Sequence, residues 1–400
     1  MLRAGLNQHL AQTDPVQWAE LLLNIYRINP TDSKTAAELG MFLLHHGAYD
    51  SAARMLGIAR GLERQAGRDV GGDFDADYLL ALWAAEKIDQ ADDLMLDRQQ
   101  RLNTMYRQLA TQEGSPRTST LELASLVAPL SPKLAAAECL MALRSDDPLR
   151  LGDALGEAER AINDLDRLRE SDGVEPGPRA HNLKRLLWLL LVLDGSPGSI
   201  EDVAHRIDAL SPLDSTELAL IGAATKPDIP IDQVVASLGK AAESSTVASV
   251  VLAKRLEQAG RKKTAAKVLL SAWKQHPGSM MGVLAGKRLG DLLGVDVPMP
   301  ETAAAMSALI DSVPRLFDRI AKDPSLVVTL RVTPRSVVVE PFDPVILDIE
   351  IANHTAEPLG ISPNGPIEDL LLVQPAVAVP YATVSDGPPI FLDLGRNVVI

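Results

Sequence analysis

Between Thr246 and Pro277 apolar residues recur at helical spacing in two runs separated by a polar break. Leu252, Ala253 and Leu256 make the first run, Gly260 and Arg261-Lys262-Lys263 interrupt it, and Ala265, Leu269 and Ala272 make the second, which Pro277 closes. Glycine tolerates the left-handed backbone that ends a helix and proline cannot continue one, so the pattern predicts two short helices folded back on each other. Alanine at facing positions lets their axes approach closely. The same intervals return in Leu39-Gly40-x-x-Leu43, Gly47 and Ala52-x-x-x-Leu56-x-x-Ala59. Weaker copies run through Leu187, Leu191, Gly195, Ile200, Ala204, Ile207 and Pro212, and through Tyr78, Leu82, Ala91 and Met95. In the last of these the turn has no glycine and Arg98 stands where an apolar residue is expected. Leu22, Ile25 and Pro30 fit the second half of an earlier copy.

Along the chain, Asp14-Pro15 caps and opens a first helix that ends near Asn29-Pro30. Helical spacing then predicts helices over 35–44, 49–65, 77–86, 90–110, 121–128, 131–143, 148–169, 179–193, 199–210, 214–224, 231–242, 280–293 and 301–322, beside the Thr246–Pro277 pair. About seven hairpins result, each apolar face stacking on the next as in repeat proteins. Residues 67–75 read as a loop, and the Gly-, Pro- and acid-rich stretch 171–178 reads as a long surface loop or a subdivision of the array. After Asp323-Pro324 the period changes to two. Leu326, Val328, Leu330 and Val332 alternate with Val327, Thr329, Arg331 and Thr333, and Leu347, Ile349 and Ile351 alternate with Asp348 and Glu350. Such alternation marks half-buried strands, and the prolines from Pro334 to Pro375 punctuate short segments as in an antiparallel sandwich.

The repeated intervals resemble the tetratricopeptide repeat, whose signature is a Leu-Gly and aromatic first helix, an Ala-x-x-x-aromatic second helix and a closing proline. Leucines replace most of the aromatics here, and the linkers vary too much for a strict 34-residue array. The strands, notably 345–353 running into His354-Thr355, are similar in rhythm to bacterial immunoglobulin-like modules. The expected fold is therefore mainly α: a tetratricopeptide-like α-solenoid of antiparallel hairpins over 1–322, then an immunoglobulin-like β-sandwich over 326–400. Such a sandwich needs about 100 residues and seven strands. An incomplete sandwich is expected, with an unpaired edge or uncovered apolar face near Leu347, Ile349 or Ile351, and with missing strands following Ile400 in a longer product.

Composition narrows the function. Hydrophobic residues make up 46% of the chain, ample for a continuous core. The net charge of −14 repels nucleic acid and anionic lipid and suits a positively charged partner patch, and no basic block is longer than Arg261-Lys262-Lys263. Cys139 is the single cysteine, which excludes an intrachain disulfide and a cysteine metal cluster. The longest apolar run, 186–193, is far short of the ~20 residues a membrane helix needs and reads as a buried helix. Residues 1–10 carry no continuous apolar stretch of the export type. The expectation is a soluble protein, cytoplasmic by default and extracytoplasmic if an upstream segment is missing.

Candidate chemistry is sparse. His45-His46 cannot chelate one ion from one helical face, because neighbouring side chains point about 100° apart. Asp73-x-Asp75-x-Asp77 opens like a calcium loop, but Tyr78 replaces the turn glycine and Ala84 the bidentate glutamate, so a helix-capping segment is expected. Ser237-Leu-Gly-Lys240 and Ser271-Ala-Trp-Lys274 fit Ser-x-x-Lys without a Lys-Thr-Gly partner. Gly286-Lys287 lacks the rest of a phosphate loop. Asn353-His354-Thr355 fits a glycosylation acceptor and equally a turn. No catalytic residue, metal or cofactor is expected.

What remains is the groove. In tetratricopeptide proteins the first helix of each pair lines the concave surface. By that resemblance the exposed face carries Lys34, Met41, His45, Asp73 and Trp83, then Asn182 and Arg185, then Val247, Lys254, Glu257 and Gln258. The resemblance implies a non-catalytic scaffold or adaptor that holds a protein or peptide segment in that groove, without nucleic acid and without membrane insertion. A carbohydrate-active enzyme joining a helical toroid to a β-sandwich is the alternative, and only 4% aromatics speaks against its sugar-stacking platforms. The regulatory part of a larger enzyme is a third.

Overall fold

Proline and short polar side chains set most helix starts in this chain, and left-handed residues set many of the stops. The computed structural model describes residues 14–68, 71–111, 131–143, 148–193, 195–336, 338, 346–356, 361, 367, 370–373, 377–379, 382–384 and 390–393. Among these the chain is mainly helical. The helices are α1 (Pro15–Ile28), α2 (Ser33–His45), α3 (Tyr49–Gln65), α4 (Gly72–Ala84), α5 (Ile88–Thr111), α6 (Pro132–Leu143), α7 (Pro148–Ser171) and α8 (Pro176–Val192). They continue with α9 (Pro197–Leu210), α10 (Ser215–Thr225), α11 (Ile231–Leu238), α12 (Thr246–Gln258), α13 (Lys262–Gln275), α14 (Met280–Leu293), α15 (Glu301–Asp311) and α16 (Leu316–Lys322). Asp14, Ser196, Asp214, Ser245 and Ser279 accept from backbone N–H groups of the first turns they cap, and Asp214 with Glu217 forms a full capping box. Gly47, Gly67, Gly173, Gly260 and Gly294 follow α2, α3, α7, α12 and α14 at positive φ.

The chain divides into two compact units, both discontinuous in sequence. One comprises Met1–Gly40, Arg54–Asp69 and Ala305–Ile400, the other Met41–Ala53 and Val70–Ala304. Neither division falls at 171–178 or at the change of period near Asp323.

In the first unit, α1 buries Trp18, Leu22, Leu23 and Tyr26, and the Tyr26 ring meets Phe317 edge-on at 5.9 Å. Gly40 lies against Leu56, whose Cγ is 2.7 Å from where a Cβ would stand, which gives the Leu-Gly motif its physical meaning. Gly61 approaches α16 as closely: a Cβ there would sit 2.1 Å from the Ala321 carbonyl oxygen. Leu316, Ile320 and Val327 form a small core joined by Phe317 and Val328. From it β1 (Val328–Pro334) leads out to pair antiparallel with β2 (Leu347–Asn353), in a register that sets Leu330 opposite Ile351 and Arg331 opposite Glu350. Two further antiparallel pairs join β3 (Leu370–Val373) to β6 (Ile390–Asp393) and β4 (Val377–Val379) to β5 (Ala382–Val384). Among the described residues each sheet has two strands. Leu330 and Val332 are 49% and 45% exposed and Leu347 is 37% exposed, so the β1–β2 pair shows part of its apolar face.

In the second unit, helices adjacent in sequence pack on one another: α6 on α7, α7 on α8, α8 on α9, α12 on α13 and α13 on α14. Ala253, Leu256, Ala265, Leu269 and Ala272 are all buried, and Gly260 turns the chain between α12 and α13 as the spacing predicts. Ala265→Leu should overpack this crossing and lower stability by about 1–3 kcal/mol, read as a shift of the urea midpoint with an unchanged slope. The apolar run 186–193 is a buried stretch at the end of α8. No described helix is long and apolar enough to cross a membrane.

Four expectations need correction. The helix expected at 77–86 begins at Gly72, because Asp73 and Asp75 fall in its first turn, where carboxylates meet the positive end of the helix dipole. The stretch 171–178 is not a long loop: α7 runs to Ser171, Gly173 turns the chain at φ 69°, and Pro176 opens α8. The helix expected over 301–322 is split into α15 and α16 around Pro314, as a proline inside a helical pattern dictates. The one expected over 231–242 stops at Leu238 and resumes as a single 3₁₀ turn, Ala241–Glu243. The helix expected over 121–128 lies outside the described residues.

Candidate functional site

Three of the eleven residues expected along a groove are buried. Lys34 belongs to the first unit and the other ten to the second. Lys34, His45, Asp73 and Gln258 are exposed, and Met41, Arg185, Lys254 and Glu257 are half-buried. Trp83, Asn182 and Val247, by contrast, are only 4%, 5% and 7% exposed. Trp83 is covered because α4 is buried on almost every side, from Asp75 through Leu79–Ala84, and has no solvent face for a groove to use. Asn182 and Val247 sit in similarly buried stretches of α8 and α12. Trp83 Nε1 and Asn182 Nδ2 find no hydrogen-bond acceptor among the described residues.

The three aspartates of α4 are engaged by their neighbours. Asp73 accepts from Ser131 Oγ at 2.6 Å, Asp75 accepts from Arg98 of α5 at 2.9 Å, and Asp77 from Lys133 of α6 at 2.6 Å. Burial pushes the Asp77 carboxyl up against the pull of Lys133. Arg98, which broke the repeat pattern, is therefore the half-buried counter-ion of buried Asp75 rather than a failed apolar position. Among the described residues no three His, Cys, Asp or Glu side chains come together as a metal site would require. The His46 ring packs tilted against Phe42 at 4.5 Å, and burial, then the neighbouring His45, lower its pKa.

On α6, burial pushes the Glu138 carboxyl up to about 7 from an ordinary 4.5, with Glu157 of α7 adding repulsion and Arg98 opposing. A raised carboxyl pKa means that the folded state binds the proton more tightly than the unfolded chain. The penalty of ionisation is thus absent below about pH 4.5, grows as pH rises, and is complete above about pH 7. Glu138→Gln should be more stable than the native chain by about 1–2 kcal/mol at pH 8, with the difference fading by pH 5, in parallel urea titrations.

Lys254 and Glu257 of α12 share their neighbourhood with Arg288 of α14. Burial, then Arg288 and Arg255, bring the Lys254 ammonium down to about 8, and Glu257 opposes. Arg288 donates to the Val192 carbonyl at 2.9 Å.

Among the described residues a feature suited to hold something is one the groove residues do not touch. A cleft of about 560 Å³ opens in the second unit where the turns after α2 and α4 meet α14 and the segment that follows it. Its aromatic wall is built by a chain of hydrogen bonds: Trp273 Nε1 donates to Tyr49 Oη at 3.2 Å, and Tyr49 Oη donates to the Pro277 carbonyl at 2.8 Å. Burial pushes the Tyr49 phenol up to about 12, so it stays a donor at physiological pH. Gly286 is what admits Trp273, since a Cβ at that position would stand 2.7 Å from the indole Cδ1. Polar lining comes from Asp50, Glu86, Lys287, Asp291 and Asp296. Lys287 pairs with Glu86 across the cleft, and Lys87 pairs with Asp50 at 3.0 Å. Glu86 takes φ 62° two residues after α4, the place that Gly47 and Gly260 fill after α2 and α12. Val283, Val295, Val297 and Met299 supply an apolar side. Sequence reasoning met Gly286-Lys287 and Trp273 only as parts of unsupported catalytic motifs. The signal that could have found them was the glutamate at a glycine position.

No protein-family model matches this chain, and neither does any curated protein.

Proposed function

We propose that this chain is a non-catalytic scaffold whose tetratricopeptide-like helical pairs form a solenoid and hold a segment of a partner protein. The C-terminal strands act as an immunoglobulin-like spacer or second docking module. The observation that carries the reading is the Trp273 cleft. It opens beside the turns of repeat-like pairs, is walled by aromatic and aliphatic side chains, and has a polar rim, as binding sites that bury a few partner side chains do. Recurrent left-handed stops at Gly47, Glu86 and Gly260 and small residues at the crossings, Gly40 and Ala265, support the repeat reading. A rigid array of this kind lowers the ordering cost on one side of an interface.

The test is photo-crosslinking in the native host, with a crosslinking residue placed at exposed Val295 or Met299 of a tagged chain. One dominant adduct per position, lost when Trp273 is replaced by alanine, is the expected result. Saturable turnover of a polysaccharide by the purified chain would overturn it, as would crosslinks no stronger than at a position on α9.

A further inference from the structure

Charge in the Trp273 cleft is unbalanced. Four carboxylates line it, those of Asp50, Glu86, Asp291 and Asp296, against the single ammonium of Lys287. Lys287 is taken up by Glu86, and Asp50 has Lys87. Asp291 lies in the field of Arg288 but makes no side-chain hydrogen bond or ion pair among the described residues, and Asp296 has no partner among them. The same cleft is lined by Val295, Val297 and Met299 and by Trp273 and Tyr49. A cleft whose lining joins carboxylates to aliphatic and aromatic side chains suits a side chain with a long apolar stem and a cationic head. Glu86 keeps a charged side chain in a left-handed conformation that glycine adopts freely, so a carboxylate stands at the cleft where its sister turns have none.

We propose that the cleft receives an arginine- or lysine-bearing segment of the partner protein, its cation paired by Asp291 and Asp296 and its stem laid along Val295 and Met299. This rests on the scaffold reading and names the partner's chemistry. The net charge of −14 favours the approach of such a segment, and the two aspartates fix where it stops.

The experiment uses the full chain and a fluorescein-labelled peptide of alternating glycine and arginine, with a glycine–glutamate peptide beside it, read by fluorescence anisotropy at physiological salt. The native chain should bind the arginine peptide saturably and the glutamate peptide not at all. Asp291→Asn with Asp296→Asn should weaken binding about tenfold or more. Glu201→Gln with Asp202→Asn, an equal charge change on the exposed face of α9, should leave it within about twofold. Circular dichroism melting of both doubles establishes that they fold, and the single Asp296→Asn variant serves if the first double does not. Equal loss in the two doubles would reduce the effect to general electrostatics and overturn the proposal, as would the absence of saturable binding. Hydrogen-exchange protection of the cleft by the glutamate peptide would overturn the cationic assignment and leave the scaffold reading standing. The scaffold reading fails by its own crosslinking test.

Discussion

Arg54→Ala should lower the stability of the first unit by about 3–5 kcal/mol, the largest effect expected of any single side-chain truncation here. The Arg54 side chain is 7% exposed, and its guanidinium is saturated with acceptors. Nε and Nη2 form a two-toothed pair with Asp318 at 2.9 and 2.7 Å, Nη1 donates to the Ile310 carbonyl at 2.9 Å, and Nη2 also donates to the Val313 carbonyl at 2.9 Å. Those carbonyls belong to the end of α15 and the turn around Pro314, where helix geometry leaves acceptors without intrahelical donors. Alanine would strand them together with a half-buried carboxylate. Lysine keeps the charge but not the planar fork, so Arg54→Lys should recover less than half of the loss. Urea unfolding of the three proteins checks both statements. A midpoint for the alanine variant within about 0.5 kcal/mol of native would remove the clamp from the account of this unit.

The second large effect is expected from a single methyl group. Gly278→Ala should destabilise the second unit by about 2–3 kcal/mol, at the upper end of what overpacking costs. A Cβ at this position would stand 2.1 Å from the Leu44 carbonyl oxygen and 2.4 Å from the His45 Cα, both backbone atoms that cannot rotate aside. The turn between α13 and α14 would have to lift away from the end of α2. That turn carries the Pro277 carbonyl on which Tyr49 is anchored, so the aromatic wall of the cleft moves with it. Near-ultraviolet circular dichroism should therefore change in Gly278→Ala and stay native-like in Ala265→Leu, a substitution of similar cost placed between α12 and α13. An unchanged spectrum in Gly278→Ala would uncouple the turn from the cleft.

The sequence was a good guide to elements and a poor one to the site, for physical reasons that particular residues show. Helix existence is local: the spacing of Ala265, Leu269 and Ala272, the cap at Asp214 and the stop at Gly260 are all written within a few residues of where they act. Boundaries failed where one residue type has two uses. Gly72 and its aspartates read as a loop and open a helix, because Asp73 and Asp75 suit the first turn of a helix as well as they suit a loop. Faces failed where a helix has no free side. The tetratricopeptide resemblance put Trp83 and Asn182 outside, yet both are buried. The cleft is assembled from four separate stretches around Gly47, Glu86, Trp273 and Asp291, each of them unremarkable alone. No window of sequence contains it.

The discontinuity of the first unit has a consequence for the order in which the protein can be made. Arg54 waits for Asp318, which leaves the ribosome 264 residues later. At ~5–20 residues per second, that delay is on the order of tens of seconds. Throughout it the apolar faces of α1 and of the outer part of α3 have no partners from α15 and α16, whereas the pairs of the second unit, each close in sequence, can close as they emerge. Tyr26, which meets Phe317, and Arg54 are thus made early and completed late, and they are the surface of the first unit that a nascent-chain chaperone would meet unpartnered.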